Sequence, residues 1–245
     1  MKKQLLLLAA SLGLLLPCQA EEATFQRDLN GYHGAMDGML KGGNEQVRSA
    51  NFWDGKELRI AGVPKGGEQS MALLRFDGIF GSGGIPDGAT IASARLELYK
   101  TGEPKDNGQY LQEEAFNRFI FIYKMLTPFQ AGEPDADSGS YSCFWYRSQG
   151  GEKVEYWGIN NELEDGPVRG TDFDPEPVQK IPLEPGQLDH WYSVDVTRVV
   201  LQWQEGQPNH GLYLMARGYW IGGCFASSQH PDPELRPKLI IEYDR

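Results

Sequence analysis

The sequence predicts an all-β sandwich, and three features carry that prediction. Short runs alternate apolar and polar residues at period two, as in Met71–Asp77, Ile91–Tyr99 and Lys238–Tyr243. Clusters of Gly, Pro, Asn and Asp punctuate these runs at the intervals expected of antiparallel strands joined by turns. Only one stretch, 196–204, has a clear helical period, and it is too short to stand without tertiary support. Neither an internal repeat nor a low-complexity tract appears.

Residues 1–20 read as a signal peptide. Lys2 and Lys3 form a positive start, Leu5 to Leu16 an apolar middle, and Cys18-Gln19-Ala20 a small-residue cleavage site. Pro17 beside Cys18 fits a lipidation signal poorly, so cleavage after Ala20 and a secreted or periplasmic mature chain are expected. The whole chain has 23 Lys and Arg against 34 Asp and Glu, a formal net charge of −11. Removal of two lysines takes this to −13. Such an acidic chain argues against nucleic acid, whose binding depends on neutralising phosphates. The mature 21–245 is expected to form one domain, with an irregular insertion over 127–185.

Taken in order, Phe25 leads into a loop, 29–37, whose glycines favour a tight turn. Asn51–Trp53 and Leu58–Ile60 read as short edge strands. In Met71–Asp77, positions 72, 74 and 76 are expected to face a core, and 73, 75 and 77 to face out. In Ile91–Tyr99, Ala92, Ala94, Leu96 and Leu98 point inward, and Ser93, Arg95, Glu97 and Tyr99 outward. A brief helix is expected within 109–117. Arg118–Met125 is apolar on both faces, which suits a strand covered on both sides. From Thr127 to Pro185 the periodicity fades and turn residues multiply.

The stretch His190–Ala216 is the clearest local signal. Tyr192 and Val194 alternate with polar neighbours. Asp195 offers its carboxylate to the free amides of a helix beginning near Val196. Val196, Val199, Val200 and Trp203 then share one helical face. Gly206 and Pro208 stop it. Gly211 opens a new strand with Leu212, Leu214 and Ala216 on one side and Tyr213 and Met215 on the other. Trp203 and Trp191 are both assigned to the core.

Five segments in this order resemble the DNRLRE-type domain, a bacterial extracellular jelly-roll module grouped with carbohydrate-binding modules. They are Phe25–Asp37, Leu73–Asp77 (LLRFD), Ile85–Tyr99 (IPDGATIASARLELY), Trp191–Leu214 and Phe225–Tyr243 (FASS, then RPKLIIEY). The resemblance implies a jelly-roll sandwich of two antiparallel sheets and an extracellular setting. It also implies binding of polysaccharide or cell-surface glycan instead of catalysis. It supplies no ligand, and 127–185 fits it least well.

Sugar rings stack their apolar faces on exposed aromatics. Trp145, Tyr146 and Trp157 in the turn-rich region, with Tyr219 and Trp220, are the candidate ligand-binding residues. Filling the core of a small covering subdomain is the alternative role for them. Oxygen-rich loops suit a structural Ca²⁺. Asp28 with Asp37, and Asp172 with Asp174, are its candidate ligands, against the simpler reading of acids in turns. Cys143 and Cys224 form an even pair that suggests a disulfide in an oxidising compartment, two free thiols being the alternative. No strand pairs carboxylates as a glycosidase needs. Tyr32 beside His33 suggests a lyase base less strongly than a polar turn. The expectation is a non-catalytic glycan-binding module; the alternatives are a structural or adhesive protein without glycan affinity, and a polysaccharide lyase.

Overall fold

The computed structural model describes residues 20–41, 55–62, 69–106, 109–110, 119–129, 146–149, 152–156, 167–184, 186–216 and 221–245. Its strands are β1 (Glu21–Gln26), β2 (Ala35–Lys41), β3 (Glu57–Gly62), β4 (Ser70–Phe76), β5 (Thr90–Gly102), β6 (Lys105–Asp106), β7 (Gln109–Tyr110) and β8 (Phe119–Lys124). They continue with β9 (Tyr146–Gln149), β10 (Glu152–Tyr156), β11 (Gln179–Pro182), β12 (His190–Asp195), β13 (Leu212–Ala216), β14 (Ile221–Ala226) and β15 (Lys238–Asp244). One α-helix, α1 (Thr197–Gln204), lies between β12 and β13. Among the described residues no helix is long and apolar enough to cross a membrane.

The all-β sandwich is what the alternation predicts. Its two layers are halves of one curled antiparallel sheet with strand order β1-β15-β5-β14-β3-β4-β13-β8-β11, to which β12 adds beside β5 and β2 beside β4. The layer β1-β15-β5-β12 faces the layer β2-β4-β13-β8-β11 across a single core. Phe25, Leu96, Leu98, Val194, Leu239 and Ile241 meet Ala72, Leu74, Ile120, Ile122, Leu212 and Leu214 there. Period-two alternation is sufficient reason: each of these strands sends every second side chain inward.

Helix α1 closes one end of that core. Asp195 Oδ1 accepts a hydrogen bond from the Thr197 amide at 2.8 Å, one residue before the N-cap Val196, which has no side-chain cap of its own. Thr197 Oγ1 accepts from the Ala94 amide at 2.8 Å and so ties the helix to β5. Val199, Val200 and Trp203 are buried beneath it. Past the helix, Gly211 has φ +87°, and a Cβ there would lie 2.6 Å from the Leu74 carbonyl oxygen. Only glycine permits β13 to begin this close to β4.

Several expectations need correction. Leu73 is not outward to solvent: with Leu40, Tyr123, Tyr213, Phe129 and Phe173 it forms a second buried cluster on the outer side of the β2-β4-β13-β8 layer. Phe129 and Phe173 cover that face. Arg75 of the LLRFD segment holds the cover down, donating from Nη1 to the Phe129 carbonyl at 2.8 Å and pairing with Asp77 at 2.8 Å. The double-sided apolar pattern of β8 has this cause. Ala92 is exposed, not inward, because the β5–β15 register shifts between Glu242 and Tyr243, which face Ser93 and Ile91. The bulge leaves Ala92 without a partner and returns Ile91 to the core.

Strand β3 is not an edge: it pairs along its length with β14 and touches β4 through Ala61 and Ser70. Leu58, Ile60 and Ala61 are accordingly buried. Gln109 and Tyr110 pair with β6 and do not open a helix; 111–118 lie outside the described residues. The segment 127–185 is less irregular than its sequence, since β9 and β10 pair with each other and β11 pairs with β8.

Candidate binding face

The residues that alternate away from the core on β1, β15, β5 and β12 make one outward sheet face, mostly half-exposed, with Ile240 buried within it. Phe25, Leu239, Leu96 and Val194 are inward, so Thr24, Lys238, Glu97 and Ser193 point the other way. Cross-strand register sets the neighbours: Trp191 opposite Tyr99, Ser193 opposite Glu97, and Asp195 opposite Arg95. On the other side of β5, Lys238 is opposite Glu97, and Ile240 opposite Arg95.

Trp191 is half-buried on this face and is not a core residue. Its ring meets Tyr99 edge-to-face with centroids 5.2 Å apart, and the Lys238 ammonium lies 4.2 Å from its centroid. The reason is the same alternation that buries Tyr192 and Val194: a residue between two inward neighbours must point outward. That signal was available in the sequence, and tryptophan's general preference for burial obscured it. Tyr99 points outward as expected, its hydroxyl 3.4 Å from the Asp189 carboxylate.

Next along β5, Arg95 gathers three carboxylates. It donates to Glu22 at 3.1 Å and to Glu97 and Glu242 at 3.2 Å each. Four hydrogen-bonding side chains from three strands thus form a polar strip beside the aromatic pair. The guanidinium has all three nitrogens engaged, while among the described residues each glutamate commits one oxygen of two. A carboxylate has acceptor capacity beyond one such bond.

The expected ligand-binding residues Trp145, Trp157, Tyr219 and Trp220 lie outside the described residues, and Tyr146 is described only as the first backbone position of β9. The four expected metal ligands are all placed, and each makes contacts within its own chain. Asp28 carries a left-handed backbone, φ +67°, and pairs with Arg236 at 2.5 Å and His33 at 2.9 Å. The hydrogen bond from Arg236 holds its carboxyl below the usual range against a small opposing effect of burial. Asp37 is buried on β2 and accepts from the Ser228 amide at 2.5 Å. Burial pushes its carboxyl up to about 7, against the pull of Ser228 and Arg27.

Asp172 Oδ2 accepts from the Val168 amide at 2.8 Å, and Asp174 Oδ1 from the Glu176 amide at 3.1 Å, both closing turns. Ca²⁺ asks for six to eight oxygens. Among the described residues no group of three or more His, Cys, Asp or Glu side chains is placed to hold a metal ion.

Among the described residues Cys224 on β14 has no disulfide partner; it is half-buried, and burial pushes its thiol up to about 12. Its expected partner Cys143 lies outside the described residues. Tyr32 donates its hydroxyl to the Asp77 carbonyl at 2.8 Å, and burial raises its affinity for that proton. This places Tyr32 as a clasp between the first loop and the end of β4. No family model matches the chain, and no curated protein matches it.

Proposed function

We propose that this protein is a secreted, non-catalytic module that binds polysaccharide or cell-surface glycan. The observation that supports the reading best is the Trp191–Tyr99 pair, held half-exposed on a sheet face with hydrogen-bonding side chains alongside. Pyranose recognition asks for an apolar ring surface beside a few polar groups that select hydroxyls. A sheet supplies both without ordering a loop on binding, which lowers the entropic cost of association.

The resemblance to DNRLRE-type domains supports the same reading from the five quoted segments. A disulfide between Cys143 and Cys224 and a structural Ca²⁺ belong to the proposal as well. Non-reducing peptide mapping tests the first, and a melting curve with and without EDTA tests the second. The function itself is tested by affinity electrophoresis of the mature chain through gels carrying a panel of soluble polysaccharides. Retardation by at least one polymer is expected. Free migration through all of them favours a structural or adhesive protein, and release of unsaturated sugar ends favours a lyase.

A further inference from the structure

Resting on the glycan-binding reading, a narrower inference concerns what kind of glycan the exposed sheet face accepts. Two side chains there are cationic, and neither is disposed to receive a carboxylate. Arg95 is surrounded by three glutamates at 3.1–3.2 Å, so an incoming anion meets their charge before it meets the guanidinium. Lys238 is turned over the Trp191 ring. Asp195 on β12 adds a further acid to the face, its carboxylate directed to the Thr197 amide. The chain as a whole carries a formal charge of −11. A uronic or sulfated polymer is therefore repelled both at a distance and at contact.

What the face does offer suits hydroxyl groups. Carboxylates whose second oxygens remain unspent accept from sugar O–H groups, and the strip around Arg95 lies within two residue pairs of Tyr99 on β5, roughly 14 Å. An ammonium over a half-exposed indole gains about 1 kcal/mol, little enough for a sugar ring to displace it. We propose that this face takes an uncharged, hydroxyl-rich polysaccharide. A pyranose replaces the Lys238 ammonium over Trp191, and its neighbours donate hydrogen bonds to the glutamates around Arg95. Lys238 then acts as a placeholder that keeps the ring solvated and ordered when no sugar is present.

The test is affinity electrophoresis of the mature chain at low ionic strength. The gels contain galactomannan, mixed-linkage β-glucan or xylan as uncharged probes, and alginate or polygalacturonate as anionic ones. The wild type is expected to be retarded by at least one uncharged polymer and by neither anionic one. Trp191→Ala is expected to lose tenfold or more in affinity. Lys238→Ala is expected to bind as tightly as the wild type or more tightly.

Tyr99→Ala, on a strand paired along both edges, supplies a second variant should Trp191→Ala fold poorly, and is expected to weaken binding too. Retardation by alginate or polygalacturonate that Lys238→Ala abolishes overturns the ligand class while leaving glycan binding intact. Unchanged binding by folded Trp191→Ala and Tyr99→Ala overturns the site alone. A wild type that ignores every polymer removes the glycan-binding reading and this inference with it.

Discussion

The Ser228 amide donates to Asp37 Oδ2 at 2.5 Å across 191 residues of chain, joining β2 to the turn after β14. Both residues are at most 1% exposed, and neither Asp37 Oδ1 nor Ser228 Oγ has another hydrogen-bond partner. Ser227 beside them donates its hydroxyl to the Gly55 carbonyl at 2.5 Å. The Ser-Ser turn is thus an interior fastening, although serines at a chain reversal read in sequence as a solvated turn.

Asp37 makes stability depend on pH. Its folded carboxyl titrates near 7 because burial disfavours the charge, whereas the unfolded one titrates near 3.8. The native state therefore holds the proton more tightly. This contribution is fully present below about pH 4, declines as pH rises, and is lost above about pH 7. The difference corresponds to about 4 kcal/mol as an upper figure. Denaturant melts of Asp37→Asn are expected to be flatter with pH than the wild type between pH 4 and 8, and more stable above pH 7. Parallel curves for the two proteins would remove Asp37 as the cause.

Trp203 and Trp191 should separate stability from binding. Trp203 is 5% exposed in the main core under α1. Trp203→Ala is expected to cost about 3–5 kcal/mol, read as a lower urea midpoint. Trp191→Ala removes a half-exposed ring with an edge contact to Tyr99, and a loss under about 1.5 kcal/mol is expected. Equal losses for the two would contradict the placement of Trp191 outside the core.

Gly211→Ala should be damaging although alanine is small. A positive φ alone costs a non-glycine residue about 1–3 kcal/mol. Here the added Cβ also meets the Leu74 carbonyl oxygen at 2.6 Å. The variant is expected to fall at or above the top of that range, whereas Gly31→Ala, at φ +79° with open space around it, should stay within it. Thermal melts of the two variants make the comparison.

Cys224 should react slowly. With its thiol pushed up to about 12 by burial, little thiolate exists at pH 8. Alkylation of reduced protein by iodoacetamide, followed by mass spectrometry, should be slow at this position in the native state and fast in denaturant. Rapid native labelling would show that β14 leaves the thiol open.

The strands β4, β5, β8, β12, β13 and β15, their core-facing residues apart from Ala92, and the approximate start of α1 were legible from periodicity and an Asp just before the helix. Ala94, Leu96, Leu98, Leu212 and Leu214 sit where alternation puts them because a side-chain period is a local property of extended backbone. The bulge at Ala92 escaped because it depends on which residue of β15 lies opposite. Whether an outward residue meets water is decided by what lies above it. Leu73 finds Phe129 and Phe173 over it, while Trp191, half-exposed, has Tyr99 and Lys238 beside it. Asp37 and Asp28, nine residues apart, end in opposite environments, one sealed behind Ser228 and one on the surface with Arg236. Their partners come from the far end of the chain, and contacts at that separation are set by packing and not by neighbours in sequence.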